Sequence, residues 1–164
     1  MTTSGSEDGQ GNKSSLATAD ELAVLERRID GWLKAAQAAN PLIAAVERSE
    51  DDAVRWFVRV FGEEKDVWTA WLTLGQRTLA FETYVLPAPE RNQAQFYQHL
   101  LRRNHQLRGL AFEIGEEDAV FLAGSLPVSS VSEDAVDWIL GSLWVAVELC
   151  FRPALRIGFI SAPR

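Results

Sequence analysis

The chain is short of the residues from which most active sites are built. Its 164 residues include one cysteine, two histidines and one methionine. A single thiol, Cys150, excludes an internal disulfide framework and suits a reducing compartment. It sits in an apolar run, where a thiol is inert. His99 and His105 lie six apart, a spacing that separates them on a helix, and no cysteine or carboxylate stands at ligand spacing; no metal site is expected. The scattered glycines build neither a phosphate loop nor a dinucleotide fingerprint, so no cofactor is expected. Basic charge is also scarce: 16 Lys and Arg against 23 Asp and Glu leave a net charge of −7. Nucleic acid is therefore an unsuitable partner. No apolar run reaches the roughly 20 residues of a membrane span. The N-terminal MTTSGSEDGQGNKSS lacks the apolar core of a signal peptide. A soluble, cytoplasmic protein without membrane partners is the expectation.

What is present is enough for one core. Hydrophobic residues make up 47% of the chain and charged residues 24%, which suits a single domain with a tail. Residues 1–17 are polar and are expected to be a disordered tail; residues 18–160 form the domain. Thr18 to Asn40 is an amphipathic helix. Thr18 and Glu21 stand at capping-box spacing, with Asp20 as a rival cap, and Leu22, Leu25, Ile29, Trp32, Leu33 and Ala36 share a face. Glu26, Arg27, Arg28, Asp30 and Lys34 form its solvated face. Leu42, Ile43 and Val46 add a short turn before an acidic loop from Glu47 to Asp52.

Three strands follow, Val54–Phe61, Val67–Leu74 and Arg77–Leu86, each alternating with period two. Gly75-Gln76 reads as a two-residue hairpin turn. Glu90 to Leu107 is a helix with Ala94, Tyr97, Leu100 and Leu101 turned inward and Phe96 as a further candidate. A second hairpin joins Leu110–Ile114 to Ala119–Leu126. A last helix runs from Ser132 to Phe151, stops before Pro153, and leaves Arg156–Ile160 as an extended tail. The fold class is α+β: an antiparallel sheet of about five strands with three helices, in the order α-β-β-β-α-β-β-α.

Two surfaces stand out. In the last helix Val136, Ile139, Leu140, Leu143, Val147, Cys150 and Phe151 gather on a core face. Trp138, Val145 and Leu149 gather on nearly the opposite face. A helix apolar on two sides is enclosed or lies between its core and a partner, so this second stripe is a candidate interface for a second copy or a client segment. The alternative is that the first helix or the tail covers it. On the strands, Arg55 and Arg59 fall on the same face as Trp71, Glu82 and Tyr84. That mixed face would bind a peptide through aromatic contacts and charge, or be an ordinary sheet face with cross-strand pairing.

The segments RWFVRVFGEEKDVWTAWLTLGQRTLAFETYVLPAP, FYQHLLRRN and SEDAVDWILGSLWVAVE resemble the YbjN-like family of bacterial proteins, its actinobacterial members above all. The resemblance covers about Ala19 to Phe159. It implies a fold like that of type III secretion chaperones, which are small acidic dimers that bind extended client segments. The family is also labelled a sensory transduction regulator. The resemblance carries no catalytic motif, so no catalytic residue is assigned. The expected function is a non-enzymatic interaction module with a regulatory or chaperone-like role, a homodimer with an unidentified protein or peptide partner. The alternative is a small-molecule sensor with a pocket between the mixed sheet face and a helix. A third reading is an enzyme assembled from scattered residues such as Arg59, Glu82 and His99.

Overall fold

The computed structural model describes residues 16–160. The expected tail therefore lies outside the described residues, apart from its last two. The elements are α1 (Ala19–Ala39), β1 (Ile43–Arg48), β2 (Arg55–Phe61), β3 (Val67–Leu74), β4 (Thr78–Leu86), α2 (Gln93–Asn104), β5 (Leu110–Ile114), β6 (Val120–Pro127) and α3 (Glu133–Gly158). The strands form one sheet, ordered β1-β2-β3-β4-β6-β5, with every neighbouring pair antiparallel. The α+β class stands, with six strands in place of five. The extra strand is β1, where a turn was expected. Its sequence, IAAVER, buries only Ile43, and a register shift between Ile43 and Ala45 breaks the alternation that would have revealed it.

Alternation sets the two faces of the sheet. Trp56, Val58 and Val60 of β2 are buried together with Trp68, Ala70, Leu72 and Leu74 of β3 and Leu79, Phe81 and Val85 of β4. All three helices cover this face. α1 packs against β1 and α2 against β5, at opposite edges of the sheet, and α3 lies between them over β4. Among the described residues no helix covers the other face. The β3–β4 connection runs from Gly75 to Arg77, closed by Gly75 N donating to Thr78 O at 2.9 Å, and is longer than the two-residue turn expected.

α1 is capped by Thr18, not Asp20. Glu21 N donates to Thr18 Oγ1 at 3.2 Å, and Thr18 N donates to Glu21 Oε2 at 2.7 Å. Two residues expected on its solvated face turn towards the sheet edge. Arg48 of β1 pairs with Glu26 at 2.7 Å and Asp30 at 3.1 Å and lies over the ring of Trp56. Trp56 Nε1 also donates to Asp30. The register of α2 is set by Phe96 and Leu100, which are buried. Ala94 and Leu101, expected inward, are exposed.

α3 does not stop before Pro153. It continues to Gly158, so the expected extended tail is mostly helical. Proline removes one helical hydrogen bond, but tertiary contacts hold the last turns. Ala154 and Gly158 are buried. The amides of Glu90 and Arg91 donate to Gly158 O, and Asn92 Nδ2 donates to Ile157 O. At 26 residues α3 is long and apolar enough to cross a membrane by length and composition, which the shorter expected helix was not. Here its core face is packed on the sheet.

Candidate functional site

Among the described residues nothing covers the second stripe of α3. Trp138, Val145 and Leu149 are 39%, 51% and 61% exposed, and no described part of α1 or of the C-terminal turns lies over them. Beside them, towards the end of α2, runs a groove of about 480 Å³ with Leu107, Trp138, Val145 and Leu149 on its walls and Arg103 and Arg108 at its rim. A smaller groove of about 240 Å³ lies on the α1 side, between Leu42, Leu140, Trp144 and Val145. Trp138 is more than a surface residue. Its ring meets Phe81 edge-on at 6.1 Å between centroids. Trp144 is tied inward, its Nε1 donating to Phe61 O at 3.1 Å.

The bare sheet face holds all five residues of the mixed surface. Glu47, Phe57, Trp71, Glu82, Ala123 and Ala111 stand opposite one another, one from each strand. Phe57 and Trp71 meet edge-on at 6.3 Å. Arg55 lies in the next row, its Nε donating to Thr73 Oγ1 at 3.0 Å. Arg59 is opposite Thr69 and exposed. Tyr84 is opposite Phe121, their rings 5.7 Å apart. Its hydroxyl is held above the usual phenol range by burial, reinforced by the negative charge of Glu117. The face thus divides in two. Aromatic and charged side chains crowd β2, β3 and the end of the face around Tyr84, Glu113 and Phe121, whereas Ala80, Ala111, Ala123 and Ser125 form a smooth patch beside them.

Two expected arrangements do not form. No described helix lies on the mixed face, so no pocket is made between that face and a helix. Arg59 and Glu82 belong to the bare face, while His99 is on α2 across the sheet, so the three do not converge. His99 instead lines a polar groove of about 460 Å³ with Gln95, Gln98, Arg102 and Arg103. Burial, with a smaller effect from Arg103, lowers its pKa, and its Nε2 has no hydrogen-bond partner. Cys150 is a free, buried thiol whose pKa is raised by burial. No cluster of three or more His, Cys, Asp or Glu suited to a metal occurs among the described residues.

Residues 27–154 match the YbjN family model, described as "putative bacterial sensory transduction regulator". The chain belongs to the YbjN family. An uncharacterised protein of Mycobacterium tuberculosis is 32% identical over 105 residues, 64% of this chain and 57% of that protein. One from Mycobacterium leprae is 29% identical over 128 residues, 78% of this chain and 70% of that protein. The chain thus spans little more than half the length of the first of these relatives. Among solved structures, the ExsC–ExsE complex contains a chain of similar fold, with a TM-score of 0.56, 16% identity, and coverage of 80% of this chain and 93% of that one. The Yersinia pestis type III secretion chaperone SycH, in complex with a fragment of YscM2, gives a TM-score of 0.48 at 18% identity, covering 73% of this chain and 97% of that one.

In this YbjN domain one polar cluster escaped the sequence reading. Glu148 of α3 accepts hydrogen bonds from the amides of Glu63, at 3.0 Å, and Glu64, at 2.7 Å, clasping the β2–β3 turn to the helix. Arg152 pairs with Glu64 beside it. Lys65, in the same turn, donates to Tyr84 O at 2.8 Å and Val85 O at 3.0 Å and lies over the rings of Tyr84 and Phe151. Burial lowers its pKa from 10.5 to about 8. The one available signal was an acid set within the apolar run of α3.

Proposed function

We propose that this YbjN-family chain is a non-enzymatic protein-interaction module with a regulatory or chaperone-like role. The bare sheet face binds an extended segment of a partner protein, and the α3 stripe is left for a second copy of the chain. One observation carries the reading: half-buried Phe57 and Trp71 and exposed Tyr84 stand beside Arg55, Arg59 and Glu82 on a sheet face that no described helix covers. Aromatic side chains and arginine are enriched at interface cores. The ExsC–ExsE complex, similar in fold, joins two different proteins, which supports a protein partner. The free thiol Cys150 supports a reducing, cytoplasmic setting.

The test is capture from native lysate with wild type, Arg59→Glu and Tyr84→Ala, all three confirmed folded by circular dichroism. Mass spectrometry identifies the captured protein, and calorimetry with that purified protein measures its affinity. The reading expects one defined partner that both variants weaken by about tenfold or more. Equal affinity for all three proteins sinks it. A second reading, a small-molecule sensor, draws on the polar groove at His99, Arg102 and Arg103, whose chemistry suits an anion. Saturable thermal stabilisation by an anionic metabolite, abolished in Arg102→Ala, would favour it.

A further inference from the structure

The exposed line of α3 is longer than its apolar part. Trp138, Gly141, Val145 and Leu149 form the centre. Asp134 stands one turn before them, and Arg152 and Arg156 stand one and two turns after. At roughly 100° per residue all seven keep within a band about 80° wide. The line therefore reads acid, apolar, base from its N-terminal to its C-terminal end.

We infer that a second copy of the chain docks on this line, with the two α3 helices antiparallel and the two-fold axis passing between Leu143 and Trp144. This deepens the proposed reading as a homodimer and rests on it. The axis places Trp138 against the partner's Leu149 and Ser142 against the partner's Val145. It also brings Asp134 beside the partner's Arg152 and the partner's Arg156, on the same side of the helix, and repeats that contact at the other end.

Charge selects this occupant. Antiparallel self-pairing matches opposite charges at both ends, whereas parallel pairing would set acid on acid and base on base. Helix dipoles favour the same sense. Asp134 and Arg156 have no hydrogen bond or ion pair within the described residues to compete for them. Gly141 supplies a second argument. A glycine inside a helix costs about 1 kcal/mol relative to alanine, yet a Cβ added here meets nothing within 4 Å. No packing among the described residues accounts for it. Close approach of a second helix does, since Gly141 and Ser142 lie beside the axis and leave room for an interaxial distance near the lower limit of about 8 Å.

The test uses the full chain in sedimentation equilibrium. Wild type is expected to dimerise. Val145→Glu and Gly141→Leu, both at positions with open space around them, should each raise the dimer dissociation constant about tenfold or more while the circular dichroism spectrum is unchanged. Asp134→Arg should weaken the dimer about threefold, and adding Arg156→Asp in the same chain should restore it. A monomer at every concentration, a dimer indifferent to Val145→Glu and Gly141→Leu, or a charge reversal that the double variant fails to restore would each overturn the inference. These residues lie on the helical side of the sheet, so partner binding by the bare face is read separately.

Discussion

Gly109 lies against the outer edge of the Trp138 indole: a Cβ at Gly109 would come within 2.7 Å of the ring's Cη2. The glycine also has φ +76°, in the left-handed region that disfavours other residues. The turn that ends α2 is thus shaped to the ring that borders the α3 stripe. Gly109→Ala should lower unfolding stability by about 1–3 kcal/mol in urea titration. A loss under about 0.5 kcal/mol would show that the ring moves freely. Because Trp138 also packs on Phe81, changing it mixes folding with association; Val145 and Leu149 report association alone.

Glu148 holds a turn that lies 84 and 85 residues away in sequence. Hydrogen bonds to a charged acceptor are stronger than neutral ones, and two amides share one oxygen here. Glu148→Ala should cost about 2 kcal/mol. It should also speed hydrogen exchange at the amides of Glu63 and Glu64 before other amides respond. Unchanged protection at those two amides would mean that the turn holds its shape without the clasp.

How much of this was legible follows from the range of each interaction. β2, β3 and β4 show their period plainly, and the Thr18–Glu21 box announces α1, because these signals are local. β1 is hidden by Ala44-Ala45 and by its bulge. The passage of α3 through Pro153 depends on amides of Glu90 and Arg91, which no local pattern connects to Gly158. Leu100 and Leu101 are adjacent, so only one can face the core, and Phe96 packing against Gly158 decides which. The α3 stripe and the five residues of the mixed face followed from helical angle and strand alternation. Which sheet face stays open followed as well, since Arg55, Arg59, Glu82 and Tyr84 mix polar groups into one side while the side of Trp56, Val58, Leu72 and Phe81 is aliphatic and aromatic. The Glu148 clasp is wholly tertiary.

Lys65 should leave a pH signature. Its pKa falls from 10.5 to about 8 on folding through burial. Between those values the unfolded chain keeps a proton that the folded chain has released, so stability from this group rises with pH across the window and is lost as pH falls through about 8. Tyr84 and Cys150 have raised pKa values and act in the opposite sense at alkaline pH. Urea titrations of wild type and Lys65→Met at matched pH remove that shared background. The wild-type minus variant difference should increase from pH 8 to 10.5. A flat difference would show that the carbonyls of Tyr84 and Val85 and the two rings hold the charged amine as well as water does.

Asn104 closes the outer edge of the sheet at β5. Its Oδ1 accepts from Phe112 N at 2.7 Å and its Nδ2 donates to Phe112 O at 3.0 Å, as a neighbouring strand would. An open edge strand is a template for another chain, and proteins block such edges. The far edge is protected differently, by the bulge in β1 and by Glu47 and Arg48 at its end. Asn104→Ala would leave both backbone groups of Phe112 unpaired, at a cost of about 1–3 kcal/mol. Asn104→Asp would keep the acceptor but set a carboxylate against the Phe112 carbonyl, and should be no better. Both variants should scatter more light than wild type on prolonged incubation, with the excess growing with protein concentration. If either matched wild type in both stability and scattering, the Asn104 amide would be dispensable and the helix above β5 would be protecting the edge by bulk alone.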